Sequence, residues 1–193
     1  KYPVIPGENY VGTVIDLGAN ANSVSIGDVV VGETVFDCGI CEACSDSLSR
    51  DCHDPIRLGI DTDYGPYSRF LAVPSDHVHR LDETLDPKDG VITRTLARLL
   101  DGIERATQLT SGSGTCAVVG TDSIAELMAQ ILQHEGYKLD RVDEALEDGK
   151  EYELVADVTG DSTVVHRLVS QINPGSVLLL AAEEYGEFTL TSD

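Results

Sequence analysis

The chain has 193 residues, 41% of them hydrophobic, enough for one ordinary domain or two small ones with cores of their own. Its 34 acidic residues outnumber 13 basic ones, a formal net charge of -21 that would repel a phosphate backbone and so excludes nucleic-acid binding. No apolar run approaches the ~20 residues of a membrane span.

The first half reads as β structure. Val11, Thr13, Val14 and Ile15 form an apolar run after the turn-forming Pro6-Gly7, and Asp28 to Gly32 follows Gly27 as a second short strand. A third strand is predicted over Tyr67, Phe70, Leu71, Ala72 and Val73, ended by Pro74. His77 and His79 alternate on a further strand and share one face, expected to meet solvent, with metal binding as the alternative. Frequent glycines fit short strands and tight turns in a barrel-like domain.

Four of the five cysteines fall inside this half, as Cys38-x2-Cys41-x2-Cys44-x7-Cys52. A disulfide framework would spread an even number of cysteines along a secreted chain, so this crowding favours a metal. Structural zinc takes four tetrahedral ligands, with thiolates about 2.3 Å away. Gly39 lets the intervening backbone curl, and Ala43 and Ser45 are small. Structural zinc contributes roughly 10–16 kcal/mol in zinc peptides, enough to hold a lobe with almost no regular structure. Reduced free cysteines, a redox pair or an iron–sulfur cluster are the alternatives. His53, beside Cys52, is expected at the surface.

From about Asp86 the pattern turns helical. Leu96, Leu99, Leu100 and Ile103 recur at helical spacing. After the turn at 110–114, Cys116 to Val119 reads as a strand in which Cys116 is inert core. A helix follows through Ile124, Leu127, Met128, Ile131 and Leu132, with Asp122 or Ser123 at its start. Lys138-Leu139-Asp140 makes a poor strand. Leu154 to Val158 is a strand, Val164 to Ile172 a helix stopped by Asn173-Pro174-Gly175, and Val177 to Leu180 a last strand. Such alternation predicts a parallel sheet with helices on its faces.

Pro6 to Val14, the Ile26-Gly27-Asp28-Val29-Val30 turn, the four cysteines, and the stretch from Leu58-Gly59 to Phe70 together resemble the zinc-containing medium-chain alcohol dehydrogenases. The resemblance runs collinearly from about Tyr2 to Thr189. It implies a chaperonin-10-like β-barrel domain with a structural zinc lobe over 1–88. A Rossmann-like parallel α/β domain, reduced or incomplete, would follow over 89–193. It further implies reversible hydride transfer between an alcohol and NAD or NADP, aided by a catalytic zinc. Members commonly form homo-oligomers.

Three departures qualify that expectation. Glu8 stands where the family carries a histidine ligand of the catalytic zinc, and is the candidate at that position; Arg94 aligns with another ligand position, and the cysteine ligand would lie upstream of Lys1. The nucleotide loop appears as Gly120-Thr121-Asp122-Ser123-Ile124-Ala125, so Gly120, Thr121, Ser123 and Ile124 are the cofactor candidates, while Asp122 adds bulk and charge where a pyrophosphate would rest. Asp140 lies near the distance expected for an acidic ribose partner. The stretch 136–150 is short for a strand, a helix and a strand, so either this half is reduced or segments are missing there and after Asp193.

The acid excess is dispersed, and lysine occurs only at 1, 88, 138 and 150. That points to a salt-adapted cytoplasm, where screening tolerates self-repulsion; an ordinary acidic protein or a basic partner is the alternative. The expectation is an NAD(P)-dependent alcohol or polyol dehydrogenase-like oxidoreductase acting on a small molecule. The second expectation is a non-catalytic, zinc-stabilised scaffold or assembly subunit of the same descent.

Overall fold

The computed structural model describes residues 3–46, 48, 51–182, 184, 185 and 187. The chain divides into two compact units, Lys1–Thr95 and Leu96–Asp193. Tyr2 and Thr189, the ends of the resemblance, lie outside the described residues.

In the first unit, β1 (Val11–Thr13), β2 (Val29–Gly32) and β5 (Val78–Arg80) form an antiparallel sheet in the order β1-β2-β5. Val24, Val30 and Val78 are its buried centre, with Val14, Leu17 and Val73 packed around them. A two-stranded ladder pairs β3 (Val35–Phe36) with β4 (Ile56–Arg57), and the helical turn α1 (Glu42–Ser45) lies between them in sequence. Gly65 serves close approach: a Cβ there would collide with the Ile5 carbonyl oxygen.

The predicted strand at 67–73 is absent. Pro66 and Pro74 bracket the segment and remove ladder donors, and Tyr67 and Phe70 are exposed. Val78–Arg80 takes the ladder position instead.

The second unit is a four-stranded parallel sheet in the order β7-β6-β8-β9: β6 (Thr115–Val119), β7 (Lys138–Val142), β8 (Leu154–Asp157) and β9 (Val177–Leu180). Alternation puts Cys116 and Val118 of β6 on one face, packed with Leu99 and Ile103 of α2 (Thr93–Thr107) and Met128 and Leu132 of α3 (Ser123–His134). Ala117 and Val119 face the other way, toward Val164 and Leu168 of α4 (Ser162–Gln171). Both faces are covered, as a parallel sheet requires.

Lys138–Val142 is a full strand despite its polar sequence, because β6 supplies a backbone ladder from Thr115↔Lys138 to Val119↔Val142. Between β7 and β8 the chain crosses β6 without a helix; Leu146 and Tyr152, both buried, pack on the α4 face of the sheet.

Candidate metal centre and nucleotide groove

Gly39 adopts φ +70°, and α1 begins directly after Cys41, turning Cys44 back toward Cys38. All four cysteines are free thiols, and their sulfurs lie within 4.8 Å of one another. Cys38 and Cys44 Sγ are 3.9 Å apart, and Cys41 and Cys44 Sγ 3.4 Å. A tetrahedron with zinc–sulfur bonds of about 2.3 Å has edges of about 3.8 Å, so this donor set fits zinc. Backbone N–H groups already serve it: Cys38 N donates to Cys52 Sγ at 3.3 Å. The Cys41 thiol is lowered, first by the backbone of His53, whereas burial and the neighbouring Cys41 raise Cys44. Without a cation the second thiolate is the costly one, whereas a coordinated dication would deprotonate its thiols outright.

The lobe is tied to the sheet through Asp37, whose carboxyl the Cys44 thiol lowers first. His77 contacts Asp37 through Nε2 at 3.1 Å and Glu33 through Nδ1 at 2.8 Å, with the Phe36 ring 5.0 Å from its own. His79 Nε2 lies 2.9 Å from the other Glu33 oxygen. His77 is therefore not the solvent-facing residue the sequence predicts; its side chain is 14% exposed, whereas that of His79 is 60% exposed.

In the second unit a groove of about 250 Å³ opens at the carboxyl end of β6, lined by Gly120, Thr121, Asp122, Glu126, Arg141 and Asp143 among others. Gly120 has φ +129°, and a Cβ there would meet Val158 Cγ2 at 2.8 Å. Asp122 caps α3, its Oδ1 accepting from Ala125 N at 2.9 Å. Ser123 and Ile124 open the helix and do not line the groove. Asp140 pairs with Lys150 and does not line it either. Arg141 and Asp143 do, and sequence reasoning missed both; the end of β7 at Val142 is the signal that finds them. Arg141 Nη2 donates to Glu126 Oε1 at 3.1 Å and holds that carboxyl down to about 2.

Glu8 stands apart from the cysteines and pairs with Arg94, Nη1 to Oε2 3.5 Å.

Residues 1–83 match the alcohol dehydrogenase GroES-like domain. L-threonine 3-dehydrogenase of Caldanaerobacter subterraneus subsp. tengcongensis is 36% identical over 85 residues, 44% of this chain and 24% of that protein. The Bacillus velezensis enzyme of the same name is 24% identical over 190 residues, 96% of this chain and 54% of that one. Over that domain the chain is similar to the zinc-containing medium-chain alcohol dehydrogenases. Its fold matches that of CAD from Helicobacter pylori, solved with NADP(H), at a TM-score of 0.78 and 15% identity, over 94% of this chain and 60% of the other. The first unit is thus the family's GroES-like domain and the second a Rossmann-like sheet. The chain spans about half or less of the length of these curated relatives. Among the described residues no helix is long and apolar enough to cross a membrane.

Proposed function

We propose that this chain is part of a zinc-containing, NAD(P)-dependent alcohol or polyol dehydrogenase-like oxidoreductase working in the cytoplasm of a salt-adapted cell. The observation that carries the reading is the set of four thiols converging at spacings that suit one tetrahedral zinc. Cys38, Cys41, Cys44 and Cys52 would hold that ion, which closes the lobe and leaves no ligand position for substrate. The functional domains run over 1–88 and 89–193, and the whole protein is a homo-oligomer acting on a small alcohol.

A dinucleotide would rest on the Gly120–Ala125 turn, against Gly120 and Thr121, which line the groove, with Ser123 and Ile124 behind them in the first turn of α3. The cradle at Gly120, closed to any Cβ by Val158, supports that placement. Asp143, which lines the groove where Asp140 does not, would accept from ribose hydroxyls. A bound nicotinamide supplies the hydride acceptor; this chain's part is to bind and orient it.

A second reading, a zinc-stabilised scaffold without catalysis, is favoured by Asp122, whose carboxylate already takes the Ala125 N–H at the end of α3 where a pyrophosphate would dock. Titration with NADH and NADPH in KCl at about 1 M, where the Debye length is about 3 Å, separates the two. Saturable quenching or enhancement of nicotinamide fluorescence supports the oxidoreductase, and no binding up to millimolar cofactor rejects it.

A further inference from the structure

We infer that the Arg94 guanidinium takes the place beside Glu8 that a second metal ion would need, so that Glu8 is an ion-pair residue and the chain carries a single zinc, on its cysteines. The count of one rests on the four-cysteine reading above; the statement about Glu8 does not.

Three observations converge. Glu8 Oε2 lies 3.5 Å from Arg94 Nη1, across 86 residues of sequence, with both side chains partly shielded from water. Arg94 sits in the first turn of α2, which contains no acidic residue. A cation there meets the positive end of the helix, so a carboxylate brought from elsewhere neutralises both. Lastly, among the described residues the only group of three or more His, Cys, Asp or Glu side chains able to share an ion is the four cysteines. Among the described residues Glu8 thus belongs to no such group, and it faces a permanent cation, since guanidinium does not deprotonate in proteins. A dication at that carboxylate would have to displace the guanidinium and then be repelled by it.

Cobalt titration tests this. The chain is stripped of metal under reducing conditions and titrated with Co²⁺, alongside Glu8→Gln, which keeps the side chain's size and removes its charge. One equivalent is expected in both proteins, all of it showing the thiolate-to-cobalt charge-transfer band. A second tight equivalent without that band in the wild type, lost in Glu8→Gln, overturns the inference while leaving the cysteine site intact. Absence of the thiolate band counts against the cysteine reading, and the comparison of the two proteins still decides Glu8.

Discussion

Asp122 serves one purpose at the expense of another. Its carboxylate caps α3 through Ala125 N, and the same carboxylate puts a negative charge at the helix end that lines the groove. Asp122→Ala should cost about 1 kcal/mol of stability in urea unfolding, the ordinary worth of an N-cap. Asp122→Gly should cost only a few tenths, because glycine is a tolerable cap, and should bind NAD(P)H more tightly than the parent in the same fluorescence titration. Asp61 offers a pH test. Arg57 donates to both its carboxylate oxygens and holds it at about 2, below the ordinary aspartate value near 3.9. A depressed carboxyl contributes stability in full above about pH 4 and loses it as pH falls toward 2. Asp61→Asn should flatten the urea midpoint across that window relative to the parent. At this scale the metal lobe was legible because all four thiols lie within one short stretch and their spacing alone dictates a common centre. The Glu8–Arg94 pair was not: both residues stood out, but nothing local joins positions 86 residues apart.

Elements were legible where periodicity and propensity agreed, as at α3 and β8. They failed where tertiary pairing overrode local preference. Lys138-Leu139-Asp140 lacks the β-branched residues of a strand, yet β6 recruits it through a complete parallel ladder to Val142, and only that ladder brings Arg141 and Asp143 to the groove. At 67–73 the apolar residues were real but prolines on both sides denied them a ladder. Within α3, Met128 and Leu132 are fully buried against the sheet. Leu132→Ala should destabilise by about 2–5 kcal/mol, read from the denaturant midpoint, because a rigid three-layer core collapses only partly around the lost volume.

The charge of the whole molecule was legible from composition, and its consequence is electrostatic. With a net charge of -21 the compact state repels itself at low ionic strength. The urea midpoint should therefore rise steadily as KCl increases toward about 1 M and the Debye length contracts to about 3 Å. Chelation should loosen the cysteine lobe first, since α1 and the short β3–β4 ladder are the only regular structure described near it, while the parallel sheet keeps its far-ultraviolet signal. Cys116 sits fully enclosed in that sheet, its thiol pushed up by burial to about 12. It is a natural stopwatch. An alkylating reagent can reach positions 38, 41, 44 and 52 whenever the ion leaves, but reaches 116 only when the strands themselves part. The order of adduct masses in one sample thus times the opening of each half of the chain without any added label.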